Sequence, residues 1–294
     1  MDAGDATRAI RSCFPELGDH ELRPLRSGRS HSTFAYGDSV FRFPGTAADT
    51  VLLRRELRLL AALAPALPLP ISTPTRVAQW RGRPFAGAPY LAGKPIATDD
   101  LFGPQGGEIA CELGEFLWAL HRFPLEQAAV ALQTPPDAAP ADPREWLDRL
   151  RMRVFPRLSP SLRIAVDGGV TRFAKLGIVR PRALTHHDLG RRHLLVHEGH
   201  LAGVIDFSAA ALADPAVDFS GILAWAGWNG VDDVARFYDG PLGLEFEERV
   251  EFAYWTLPLG WLAFAVDREN EPLVGRARSE LSMRMQRAGV MPAG

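Results

Sequence analysis

The chain has 294 residues, of which 47% are hydrophobic and 23% charged, and its formal net charge is -2. So even a balance supplies no field that would gather nucleic acid or anionic lipid, so any basic role must be local. The length suits one large domain or two lobes with a cleft between them.

The N-terminus, Met-Asp-Ala-Gly-Asp, carries acids where an export signal would carry Lys or Arg. After a short helix-like opening, Leu25 to Gly37 reads as strand, turn, strand, and the alternation in Val40-Phe-Arg-Phe43 continues an antiparallel sheet. From Thr50 to Leu63, leucines at 52, 53, 57, 59, 60 and 63 interleave with Arg54, Arg55, Glu56 and Arg58, the pattern of an amphipathic helix. Prolines at 65, 68, 70 and 74 end it. Two further strands are expected over Thr75 to Trp80 and Phe85 to Leu91, around the turn-like Arg81-Gly-Arg-Pro84, and Gly93-Lys-Pro95 reads as a hinge. Helices follow at Glu108 to His121 and from Pro143 to about Arg153, separated by a Pro/Ala/Asp loop from Asp137 to Asp142. Leu194 to Val196 and Leu201 to Ile205, joined at Glu198-Gly-His200, give a hairpin signal in the otherwise helical second half. Strands first and helices after them indicate an α+β protein with two lobes.

Cys13 and Cys111 form no C-x-x-C pair and cannot make a zinc site alone, which suits a reducing compartment, the cytoplasm. The stretch Leu257 to Val266 contains Pro258 and is too short to cross a bilayer, so no membrane span is expected.

The segment Leu184-Thr-His-His-Asp-Leu-Gly-Arg-Arg-His-Leu-Leu-Val196 is followed by Val204-Ile-Asp-Phe-Ser208 and Ala213-Asp-Pro-Ala-Val-Asp218. This succession resembles the catalytic core of the aminoglycoside and macrolide phosphotransferases, antibiotic kinases in which H-x-D, a metal ligand five residues on and a second Asp after a hairpin form the site. The resemblance covers roughly residues 22 to 290. It implies a bilobal protein-kinase-like fold: a small N-terminal antiparallel β lobe with one key helix, and a larger, mostly helical C-terminal lobe. Residues 1–92 would then bind nucleotide, and 93–294 would carry catalysis and the acceptor.

The chemistry fits those residue types. Phosphoryl transfer needs a carboxylate beside the attacking hydroxyl and a cation to neutralise phosphate charge. Asp188 is the candidate for the first role. His193 and Asp206, on opposite sides of the hairpin, are the candidate metal ligands, for Mg2+ with ATP or GTP as phosphate donor. His193 stands where kinases hold Asn; an imidazole is a competent ligand, although magnesium prefers oxygen. His186 would support the loop, and Asp214 and Asp218 resemble the family's D-P-x-x-D, which braces that loop and opens a helix.

In the first third, Ser27, Gly28 and Ser30 resemble the small residues of the loop that lets backbone N–H groups approach phosphates. Arg42 occupies the place of the usual strand Lys, with Glu56 as its ion-pair partner and a planar fork in place of a point charge. Tyr90 and Leu91 would meet the base through their backbone. The acceptor expectation is a hydroxyl of an aminoglycoside-like small molecule, encouraged by the acids Asp232, Asp233, Asp239, Glu245, Glu247, Glu248 and Glu251. The alternatives are a macrolide, for which Phe252, Trp255, Trp261 and Phe264 would supply aromatic surface, and a nucleotide-binding pseudokinase without turnover. A metal phosphohydrolase reading of His186-His187-Asp188 fails because the residues after Asp188 alternate into strands and offer no helical ligand pairs.

Overall fold

A computed structural model describes residues 1–25, 31–135, 142–178, 181–243 and 245–291. Helix α1 (Ala3–Cys13), capped by the Asp2 carboxylate accepting from the Asp5 N–H, precedes an antiparallel sheet of β1 (Leu22–Pro24), β2 (His31–Tyr36), β3 (Ser39–Pro44), β4 (Arg76–Trp80) and β5 (Arg83–Pro89) in the order β1-β2-β3-β5-β4. Because side chains alternate along a strand, Phe41 and Phe43 of β3 point into a core with Phe34, Tyr36, Phe85 and the α1 face Ala6, Ala9 and Ile10, while Arg42 points to the other side. The rings of Phe43 and Phe85 stack with centroids 4.7 Å apart.

Helix α2 (Ala47–Leu63) starts in a capping box of Thr46 and Asp49, each side chain accepting from the other's backbone N–H. The leucine spacing buries Leu53, Leu59, Leu60 and Leu63, and it buries Glu56 with them. A carboxylate on that face has to find a partner, and Arg42 supplies it.

The chain then crosses through β6 (Lys94–Pro95) to α3 (Thr98–Phe102), α4 (Gly106–His121), α5 (Leu125–Leu132), α6 (Pro143–Val154) and α7 (Pro160–Lys175). At the crossing Gly93 has φ 121°, and a Cβ there would lie 2.9 Å from the Val196 carbonyl oxygen, so only glycine fits. Strands β7 (Ala183–Thr185), β8 (Leu194–His197), β9 (His200–Val204) and β10 (Ala211–Ala213) precede α8 (Ala216–Ala235), α9 (Phe246–Asp267) and α10 (Glu271–Arg287). The hairpin β8–β9 pairs with β6, and β7 pairs antiparallel with β10.

One core gathers Leu59, Leu60 and Leu63 of α2 with α4, α5, α8 and the hairpin, and a second joins α6, α7, α9 and α10. Phe252 and Trp255 belong to that second core, where Phe252 stacks on Phe173 at 3.8 Å. Trp255 is therefore core and not surface, whereas Phe252 also lines a cavity beside α6 and α8. No helix among the described residues is long and apolar enough to cross a membrane.

Candidate active site

Strand β7 ends at Thr185 and delivers His186, His187 and Asp188 to one end of the hairpin. The turn is held from beneath by Asp218, fully buried in the first turn of α8, whose carboxylate accepts the backbone N–H groups of His186 and His187, both at 2.8 Å. His121 of α4 donates to the same carboxylate through Nε2 at 3.1 Å, and the Tyr238 hydroxyl donates to its Nδ1 at 3.0 Å. Burial opposes charge on Asp218, but the His121 hydrogen bond, the histidines' attraction and the loop amides outweigh it and hold the group below the usual carboxylate range. These donors stabilise the left-handed backbone of His187, at φ 66°. Asp214 accepts from the Ala216 N–H at 3.0 Å and so opens α8.

His186 ties the loop to the far strand, its Nε2 donating to the Ile205 carbonyl at 3.0 Å while Nδ1 accepts the Asp188 N–H at 3.3 Å. Helix α8 presses on the same loop. A Cβ at Gly221 would fall 2.2 Å from the Leu189 carbonyl oxygen, so a larger residue would push the two apart.

His193 closes a short helical turn just before β8. Its Nδ1–H donates to the Asp188 carbonyl at 2.7 Å, while Nε2 accepts from Arg192 Nε–H at 3.1 Å and lies 3.6 Å from Asp206 Oδ2. Burial pushes this imidazole below its ordinary value despite the Asp206 charge, so the ring is neutral at neutral pH. Asp206 adopts a left-handed conformation at φ 68° and accepts from Ser208 Oγ at 2.7 Å. Burial would raise its carboxyl, but Arg42, then His193, then the Ser208 hydrogen bond hold it far below the carboxylate range. The Asp188 carboxylate lies 3.5 Å from Arg192 Nη2.

Arg42 reaches across from β3. One nitrogen is 2.8 Å from Glu56 Oε1 and the other 3.8 Å from Asp206 Oδ1. Burial disfavours its charge, but Glu56 and Asp206 more than compensate and raise its pKa further. Glu56 Oε1 also accepts the Phe207 N–H at 3.1 Å, so the pair joins the sheet and α2 to the turn after Asp206.

Asp188, His193, Asp206, Arg42 and Glu56 are thus one connected cluster. Tyr90 lies just past β5 with its N–H donating to the Asp38 carbonyl at 2.7 Å, so that amide is already spent, whereas the Leu91 amide makes no backbone hydrogen bond among the described residues. Ser27, Gly28 and Ser30 lie outside the described residues. Two site histidines carried no sequence signal. His121 is a lone imidazole on an apolar helix face, and His31 gains meaning only when β2 is laid beside β3, where Arg42 and Asp206 act on it.

Magnesium takes one or two carboxylates and keeps its other positions for phosphate oxygens and water. The donor set fits that habit once the exposed Arg192 side chain, which here donates to His193 Nε2, turns away: one ionised carboxylate, Asp206, and one imidazole nitrogen, His193 Nε2, meet at the hairpin end. Among the described residues no group of three or more His, Cys, Asp or Glu could hold a metal unaided.

The model of the phosphotransferase enzyme family matches residues 21–252, and the chain belongs to that family and is a phosphotransferase. Among solved structures, the GDP complex of aminoglycoside 2'-phosphotransferase-IIIa superimposes with a TM-score of 0.85 at 22% identity, over 98% of this chain and 99% of that one. A macrolide 2'-phosphotransferase from Brachybacterium faecium, without ligand, gives 0.70 at 21% identity, over 94% and 98%. An ADP-bound aminoglycoside phosphotransferase gives 0.74 at 18%, over 99% and 100%. These likenesses establish the kinase-like fold. No curated protein matches the chain.

Proposed function

We propose that the protein transfers the γ-phosphoryl group of ATP or GTP to a hydroxyl of a small-molecule acceptor. The observation that carries this reading is the meeting of Asp188, His193 and Asp206 at one end of the β8–β9 hairpin, with Arg42 reaching in from the sheet.

Asp188 orients the acceptor alcohol and takes its proton as the oxygen attacks. Its backbone carbonyl fixes the His193 tautomer, so the two roles are coupled through one hydrogen bond. Asp206 and His193 would hold Mg2+, which when bound neutralises charge on the transferring phosphates. Arg42, pinned by Glu56, grips phosphate oxygens with its fork. Ser27, Gly28 and Ser30 would cover the phosphates, and Tyr90 and Leu91 would meet the base, Leu91 through its N–H. Residues 1–92 would thus serve the nucleotide and 93–294 the chemistry and the acceptor.

The relatives named with GDP, with ADP and, in one further structure, with GDP and kanamycin support a nucleotide donor and an aminoglycoside-like acceptor, with a macrolide as the alternative. A reducing compartment, the cytoplasm, agrees with both cysteines being free thiols.

The test is transfer of label from γ-labelled ATP and GTP to pooled alcohols, with Asp188→Asn beside the wild type. The substitution should cut kcat by about 100- to 10,000-fold with an unchanged unfolding curve. Near wild-type turnover in Asp188→Asn would remove the residue from catalysis, and no labelled product with any acceptor would favour the pseudokinase reading.

A further inference from the structure

Two arginines border the cluster of Asp188, His193 and Asp206, and they are held in different ways. The Arg42 side chain is 15% exposed and is pinned by the buried Glu56 carboxylate at 2.8 Å. The Arg192 side chain is 62% exposed and reaches the cluster from solvent. Its Nε–H donates to His193 Nε2 at 3.1 Å, and its Nη2 lies 3.5 Å from Asp188 Oδ2. One planar fork thus bridges the candidate base and a candidate metal ligand.

The backbone around this fork is fixed. The Asp188 carbonyl accepts the Gly190 N–H at 2.8 Å and His193 Nδ1–H at 2.7 Å, and the Gly190 carbonyl accepts the His193 N–H at 2.9 Å. With Nδ1–H committed to that carbonyl, a neutral imidazole keeps a single lone pair, on Nε2, and Arg192 holds it. One lone pair cannot serve a guanidinium and a cation together. His193 therefore becomes a ligand only when Arg192 lets go, and because the turn Arg191–His193 is tied down, it is the Arg192 side chain that moves.

Release costs little. An exposed guanidinium regains water as it leaves, and a surface contact of this kind contributes little net stability. Arg42, buried against Glu56, has no such freedom. The displaced fork keeps its positive charge. Phosphate oxygens arriving with a cation offer it bidentate acceptors, whereas a bare aqueous cation brings it only repulsion.

We propose that Arg192 is a built-in stand-in for the cation of this site: it holds the His193 lone pair and faces the Asp188 carboxylate until a cation carried on a nucleoside triphosphate replaces it, so that the site discriminates against the bare ion. This rests on the reading of His193 and Asp206 as cation ligands.

Titration of the full-length chain with manganese(II), the unbound ion being counted by electron paramagnetic resonance, tests it. Without nucleotide, Arg192→Ala should bind the ion about three- to tenfold more tightly than wild type, the size expected for one hydrogen-bonded contact, with an unchanged unfolding curve. With a non-hydrolysable ATP analogue present, most of that gain should disappear. In a His193→Ala background, Arg192→Ala should likewise lose most of its effect.

No gain in Arg192→Ala without nucleotide, or weaker binding there, would overturn the proposal. So would a gain that keeps its full size in His193→Ala, because the arginine would then act through its charge and not through the lone pair. An equal gain with and without the analogue would overturn the preference for a nucleotide-borne ion. Asp206→Ala keeps these outcomes apart from the cation site itself. Binding that does not weaken in Asp206→Ala contradicts the site, and the role of Arg192 with it. Binding that weakens there, with no gain in Arg192→Ala, contradicts the role of Arg192 alone.

Discussion

His31 shows how much a single side chain of this site depends on its neighbours. It is buried at the end of β2 that pairs with the Pro44 end of β3, and burial, with the Arg42 charge adding to it, pushes its imidazole from 6.5 down to about 4. Between those values the unfolded chain binds a proton that the folded chain refuses. The resulting stability is therefore complete above pH 6.5 and is lost as pH falls towards 4, by up to about 3 kcal/mol. His187 and His193 are shifted in the same direction and share the slope, whereas Asp206 is depressed from 3.8 and acts only at lower pH. The variant His31→Asn should unfold with a visibly shallower pH dependence between 6.5 and 4, followed by denaturant titration; an unchanged slope would mean that His31 is protonated in the folded state. The sequence displayed Asp188, His193 and Asp206 openly, because their spacing is local and one hairpin brings them together. It did not display His31 or His121, whose roles arise from contacts with elements far away in the chain.

At the scale of elements, the loop carrying Asp188 is shaped by what packs beneath it. Gly221 lets α8 approach until its Cα faces the Leu189 carbonyl, and Asp218 one turn earlier holds the two histidine amides. Gly221→Ala should cost about 1–3 kcal/mol and lower kcat together with Tm, because the helix and the loop must separate. Gly275→Ala on α10 is the control. Nothing lies within 4 Å of its would-be Cβ, so that change should be neutral or mildly stabilising. Thermal unfolding and turnover of the two variants side by side decide this; equal behaviour would mean that the loop yields freely. Helices such as α2 and α4 were readable within a few residues, since their apolar stripes have the helical period. Strands β7 and β10 were not, since three residues, completely buried in β7 and evenly half-buried in β10, leave no alternation to read.

Over the whole molecule, order along the chain foretold a β region followed by a helical one, but not how the cores divide. The end of α2 packs into the same core as α4, α5 and α8, and Arg268, just after α9, pairs with Asp49 at the other end of α2. Arg55 adds a 2.7 Å hydrogen bond from α2 to the Ala210 carbonyl. Helix α2 therefore links the sheet to the helical region as much as it belongs to either, and Glu56 on its buried face joins Arg42 to the turn after Asp206. The site exists because these regions meet, and it should bind its cation only as a whole. Electron paramagnetic resonance of manganese(II), substituted for magnesium and presented with a non-hydrolysable ATP analogue, measures that directly. The wild-type protein should show bound manganese with a nitrogen coupling that disappears in His193→Asn while the ion stays bound, and Asp206→Ala should weaken binding at least tenfold. Equal binding in Asp206→Ala, with no nitrogen coupling in the wild type, would contradict a cation site formed by these two residues.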